Sequence, residues 1–177
     1  MAKLYLIANT TATTTAAPVK QPTGTAIRTM LQVALSSTYP SARIVEWGCS
    51  FDGSAAATPG QIELVETGAI FATVSTASAA GDIIPWNDPN ATANTAGSSG
   101  VPFNLGTSLT GFATASGTEG SITATREFDS QLIAPTNQYL KQFPLGREPE
   151  LKAGNCLRIR ATFGTTVNMY CYVIIEV

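Results

Sequence analysis

The sequence predicts an all-β protein, a jelly-roll-like β-sandwich or barrel of about eight to ten strands with an extended N-terminal arm. Three observations carry that prediction. Apolar and polar residues alternate with a period of two through Arg43–Phe51, Leu157–Phe163 and Val167–Ile175. No segment shows a helical apolar stripe opened by a capping box. Only 12% of the 177 residues are charged, about half the usual share, and Thr, Ala, Ser and Gly fill the space. That is the composition of short strands joined by small-residue loops. The length suits one domain, residues 23–177, preceded by a strand and a Thr-rich arm at 1–22.

Along the chain, Lys3–Asn9 reads as a short strand. It runs into the uncharged stretch Thr10–Pro18, which has no large apolar side chain to bury. The run is extended because threonine is β-branched. Something must hold it, and a neighbour's surface is the expected support, through main-chain hydrogen bonding. Ala26–Leu35 fits both periods, and its neighbours favour strand. In Arg43–Phe51, Val45, Trp47, Cys49 and Phe51 face the core; a turn follows at Asp52-Gly53. Gln61–Glu66 and Ala69–Val74 read as strands around a turn at Thr67-Gly68. Pro85–Gly100 is a long loop, and Val101–Leu105 a brief pairing segment.

Ser121–Leu132 alternates, with Ile122, Ala124, Phe128 and Leu132 on one face and Thr123, Thr125, Glu127 and Asp129 on the other; Arg126 breaks the apolar side. Tyr139–Leu145 is a further strand. Of the last two, Leu157–Phe163 alternates apolar with polar. The final one turns Val167, Met169, Cys171, Val173 and Ile175 inward and Tyr170, Tyr172 and Ile174 outward. A strand apolar on both sides is covered twice, by the core and by something else.

Composition excludes much chemistry. The chain has no histidine, so Ser-His-Asp and Cys-His triads and imidazole zinc sites are absent. A net charge of −2 argues against a nucleic-acid partner, which needs a basic patch. No apolar run is long enough for a membrane span, and the N-terminal one is too short for a signal peptide. Folding in a cytoplasm follows as the expectation. Cys49, Cys156 and Cys171 lie in apolar runs without metal-ligand spacing and read as buried free thiols; a Cys156–Cys171 bridge is possible but not required.

Few residues are candidates for chemistry, and none forms a full catalytic constellation. Glu127 and Asp129, two apart, resemble a carboxylate pair of the kind that hydrolyses glycosides; a solvated strand face, paired across to Arg158 and Arg160, is the simpler reading. Asp82, Asp88 and Asn90 share a loop region, but calcium needs six or more oxygens, and no metal or other cofactor is expected. Gly111, Gly117 and Gly120 lack the Lys of a phosphate loop. Trp47 reads as core. Trp86 reads as a pin for its own loop, a sugar platform or an interface anchor.

Four blocks carry a resemblance: Val45–Gly53, Gln131–Tyr139, Gln142–Glu150 and Leu157–Phe163. Together they resemble small virion proteins encoded among the structural genes of tailed bacteriophages, of the capsid-decoration or minor capsid type. The resemblance spans Gly24 to the C-terminus, without the Pro85–Gly100 loop. It implies a jelly roll or related barrel, a symmetric homo-oligomer, and a non-enzymatic role binding the major capsid protein or other virion proteins. The implied location is the virion, after assembly in the bacterial cytoplasm. A carbohydrate-binding sandwich of a spike or fibre is the alternative. The residues expected at an interface are Tyr170, Tyr172 and Ile174 on the outward face of the last strand, Trp86 in the long loop, and Thr13, Thr14 and Thr15 in the arm.

Overall fold

Alternation buries one face of each strand, and two such faces stacked on each other make the core. The computed structural model describes residues 2–12, 15–54, 58–88, 102–114, 119–121 and 126–177. Among these lie fourteen strands and one short 3-10 turn at Ala80–Asp82. The strands are β1 (Leu4–Ala8), β2 (Gln21–Pro22), β3 (Arg28–Leu35), β4 (Ser41–Phe51), β5 (Gly60–Glu66), β6 (Val74–Ala77) and β7 (Ile83–Pro85). They continue with β8 (Phe103–Asn104), β9 (Gly111–Thr114), β10 (Arg126–Ile133), β11 (Gln138–Gln142), β12 (Glu150–Lys152), β13 (Cys156–Thr162) and β14 (Asn168–Glu176).

One sheet runs β11-β4-β14-β1-β7, the other β10-β5-β13-β3-β9-β6. Eight strands form the frame: β1, β3, β4, β5, β10, β11, β13 and β14. They pair first with last: β1 with β14, β3 with β13, β4 with β11, β5 with β10. That is a long hairpin rolled up so that β14 also meets β4 and β13 also meets β5. This strand order is that of a jelly roll, and the protein is an all-β sandwich of that kind. The insertion between β5 and β10 adds β7 beside β1, and β8 and β9 beside β3, covering two edges that would otherwise be open.

The core lies between the sheets. Trp47, Met30, Ile44, Phe103, Phe163 and Met169 are buried there. Tyr5 meets Phe103 edge-on at 5.7 Å, and Phe51 meets Phe163 at 5.0 Å. The predicted inward set of the last strand, Val167, Met169, Cys171, Val173 and Ile175, is buried. Within Ala26–Leu35 the chain is a strand from Arg28 (β3), and from Thr29 on both of its faces are buried. The insertion covers the outer one, where the Gln32 amide stands in for a ladder: Nε2 donates to Ala72 O (3.1 Å) and Leu109 O (2.6 Å), and Ala72 N–H donates to Oε1 (2.9 Å).

Three strand expectations shift. In β4 the pairing with β14 skips Val45, so Ile44 takes the core position and Val45 is only half-buried. Ala69–Val74 is not a strand; β6 begins at Val74, because the Gln32 amide already satisfies the main chain at Ala72. In β10 the alternation slips at a bulge between Glu127 and Asp129. The extra residue turns Asp129 inward and leaves Leu132 exposed. Ile122, Thr123, Ala124 and Thr125 of the expected Ser121–Leu132 strand lie outside the described residues.

The arm also departs from expectation, since its described residues are held by the chain's own sheet. Asn9 extends β1: its N–H donates to Cys171 O (3.0 Å), Nδ2 donates to Met169 O (3.0 Å), and Oδ1 accepts from Cys171 N–H (2.8 Å). Ala12 N–H donates to Asp82 Oδ1 (2.7 Å), Val19 N–H to Thr10 Oγ1 (3.0 Å), and β2 pairs with the start of β14. Side chains poor in apolar surface are held by main-chain bonds, and the nearest open main chain is their own. Thr13 and Thr14 lie outside the described residues; Thr15 is exposed.

Replacing Asn9 by Ala strands a buried N–H and a buried C=O on β14. The expected loss is about 2–3 kcal/mol of unfolding free energy, read from urea denaturation of both proteins; a change under about 0.5 kcal/mol contradicts the role given to this side chain.

Candidate functional site

The outer face of the β14 sheet carries apolar surface and has no second sheet above it. Register sets out two rows. One reads Leu140, Gly48, Tyr172, Ala8, and the next Glu46, Ile174, Leu6, Ile84. Gly48 is there for Tyr172: a Cβ at Gly48 would stand 2.9 Å from Tyr172 Cε1, so only glycine lets the ring lie across β4. The Tyr172 hydroxyl then donates to Glu46 Oε1 at 2.6 Å. Burial, and after it the bond to Glu46, raises the Tyr172 pKa; burial does the same for Tyr170. Both phenols are therefore neutral at physiological pH. Their ring centroids are 6.3 Å apart.

Tyr170 borders a cavity of about 630 Å³ whose floor is Leu6, Ala8 and Ile84 and whose wall is Thr10, Thr11 and Pro18 of the arm. The sheet is thus partly covered by its own N-terminal segment. Around it Leu140 (60% exposed), Ile84 (40%) and Trp86 (58%) remain open. Trp86 follows β7 and is anchored by its main chain to Leu4 O at 2.7 Å, with its indole outward.

The predicted interface residues therefore separate. Tyr170, Tyr172 and Trp86 belong to one side of the molecule. Ile174 shares the register row but is only 5% exposed, already covered within the chain, so it offers a partner almost nothing. Leu6, Ile84 and Leu140 were missed. Each sits at an outward position of a short strand, and only the strand register shows that the three adjoin the tyrosines.

The carboxylate candidates do not form a pair. Glu127 is exposed, while Asp129 is buried beyond the bulge. Asp129 Oδ2 accepts from Trp47 Nε1 (3.1 Å) and Tyr139 Oη (2.7 Å), and Oδ1 from Gln131 Nε2 (3.0 Å), with Lys141 Nζ at 3.1 Å. Burial alone would raise its pKa, but the bonds from Tyr139, Gln131 and Lys141 outweigh it and hold the carboxyl below the usual range. Every oxygen is engaged in fixing Trp47 and β11, so Asp129 is structural. Arg160 pairs instead with Glu63 (2.6 Å), and the fully buried Arg158 with Glu119 (3.4 Å) and the main chain of Glu119 and Ile70. Glu66, unremarked in the sequence, is a second buried anchor: it binds Arg126, Lys152 N–H (3.1 Å) and Asn155 Nδ2 (2.6 Å).

Asp82 accepts main-chain bonds from Ala79 and Ala12, both at 2.7 Å, and closes its own turn. Asn90 and Gly117 lie outside the described residues. Among the described residues no three Cys, Asp or Glu side chains gather as metal ligands, and the three cysteines are buried free thiols. No helix among them is long and apolar enough to cross a membrane. No family model matches the sequence, and neither a curated protein nor a solved structure is significantly similar to it.

Because Asp129 has a depressed folded pKa, its contribution to stability is complete above about pH 5 and fades as the pH falls through about 3.9 toward the folded value. Asp129→Ala should lower stability at pH 7 by about 2–4 kcal/mol and flatten the acid limb of the stability curve. Urea titrations of both proteins from neutral pH to pH 3 measure this; parallel acid limbs would contradict it.

Proposed function

We propose that the chain is a non-enzymatic structural protein of a tailed-bacteriophage virion, a capsid-decoration or minor capsid component that docks on the head lattice and reinforces it. The observation that carries this reading is the open apolar outer face of the β14 sheet, where Leu140, Ile84 and Trp86 flank the two neutral tyrosines. Surface of this kind, rich in aromatics and bordered by the Arg43, Glu150 and Glu176 charges, suits burial against another protein. The resemblance adds support: its blocks fall on β4, β13 and the segments flanking β11, which are parts of the sandwich frame. Docking stabilises the assembled state by mass action and needs no catalytic group. Self-association into a symmetric homo-oligomer would place copies of this face at lattice points.

A second reading, carbohydrate binding at a spike or fibre, is favoured by one observation, the outward indole of Trp86, since an exposed aromatic ring is a stacking platform for sugars.

The test uses two exposed positions whose replacement leaves the core alone. The Leu140→Ser, Ile84→Ser double variant should melt close to the parent yet bind phage heads assembled without this protein roughly tenfold more weakly, a loss of about 1.4 kcal/mol. Co-sedimentation gives the affinity. Unchanged affinity, or no binding by the parent, defeats the docking reading. Binding to a glycan panel that Trp86→Ala abolishes would put the sugar reading in its place.

A further inference from the structure

Cys49 on β4 and Cys171 on β14 are direct register partners. Both side chains face the core, both are buried and both are free thiols. The hydrogen bonds around them settle which kind of pair they form. Cys171 N–H and C=O bond to Asn9, so its main chain points at β1 and away from β4. Asp52 N–H donates to Asn168 O at 3.2 Å across β4 and β14. Hydrogen-bonded positions recur every second residue, which leaves Cys49 and Cys171 between them. On the far side of β4, Phe143 N–H donates to Val45 O at 2.9 Å, and the same parity turns the Cys49 main chain toward β11. The cysteines are therefore a non-hydrogen-bonded antiparallel pair.

In such a pair the Cα atoms lie about 4.5 Å apart and the side chains approach each other most closely. That spacing is within the range a disulfide spans, roughly 4.4–6.8 Å. Cys156 is on the other sheet, opposite Ala34 of β3.

We propose that Cys49 and Cys171 are a latent covalent site: a low-molecular-weight disulfide oxidises them to a cross-strand disulfide that ties β14 to β4, and Cys156 stays a thiol. One protein thiolate attacks a sulfur of oxidised glutathione, breaking that S–S bond and releasing one glutathione thiolate. The second protein thiolate attacks the protein-side sulfur of the mixed disulfide and releases the other. The protein loses two hydrogens, and oxidised glutathione is reduced to two thiols. In the folded chain this is slow, because burial pushes the Cys49 thiol up to about 12 and Cys171 well above its ordinary value. The first exchange belongs to the folding chain, before β14 closes, and the second follows as closure brings the two sulfurs together. A glutathione adduct has no room in the filled interior, so closure of the sheet selects the internal bond.

This inference is independent of the proposed function. The test refolds the wild-type chain from urea, once in a glutathione redox buffer and once with reductant. The expected result is a species lighter by two hydrogens, whose non-reduced peptide map links the Cys49 and Cys171 peptides and leaves Cys156 alkylatable. Its Tm should rise by about 5–10 °C over the reduced form, since the bond closes a loop containing most of the domain. Cys156→Ala should keep the bond; Cys49→Ala and Cys171→Ala should lose it. No mass loss, stable glutathione adducts, or a bond to Cys156 overturns the proposal. The map is read on the wild-type chain, so the result stands even where a variant fails to fold.

Discussion

The structure depends on the pairing of its last strand with its first. β14 lies between β1 and β4, and the chain ends are clamped to each other by reciprocal bonds between Lys3 and Val177 at 3.0 and 2.9 Å. With the outermost pair closed, the nested pairs of β3 with β13 and β4 with β11 follow in order, and β5 with β10 forms the turn of the long hairpin. Almost every ladder of the frame joins distant parts of the chain. The loop-closure entropy is therefore met before most contacts form, and a fold of this kind assembles slowly. The opposed cysteines are a direct product of this pairing: they meet only when β14 takes its place.

Buried polar side chains act where the regular ladder stops. Gln32 binds the insertion at Ala72 and Leu109, Asn9 prolongs β1 past its end, Glu66 gathers Arg126, Lys152 and Asn155, and Asp129 holds Trp47 and Tyr139 beyond the bulge. Each satisfies donors or acceptors that would otherwise be buried unpaired, a cost larger than the net gain of an ordinary hydrogen bond. In a chain with so few charges, several of the charged residues are spent inside in this way. What remains outside on the β14 sheet is apolar ground bordered by the Arg43, Glu150 and Glu176 group. The partial cover supplied by Thr10, Thr11 and Pro18 and the open ground at Leu140, Ile84 and Trp86 are two parts of one surface.

Much of the frame was legible in the sequence because burial in a sandwich imposes a period of two. Trp47 and Cys49 on one strand, and Met169, Cys171, Val173 and Ile175 on another, could hardly face any other way, and the missing histidine by itself removed whole classes of chemistry. Tyr170 and Tyr172 were placed on the outward face by the same parity. The tertiary structure decided what parity cannot express. A bulge shifts every later residue to the opposite face, which is why Asp129 is inside and Leu132 outside. Ile174 is covered although it points outward, because coverage depends on neighbours across strands. Likewise the arm, uninformative by composition, folds back because open main chain on β14 lies within its reach. Alternation is a local property of the chain; register, bulges and the pairing of distant strands are set by contacts between residues far apart in sequence, and those contacts exist only in the folded molecule.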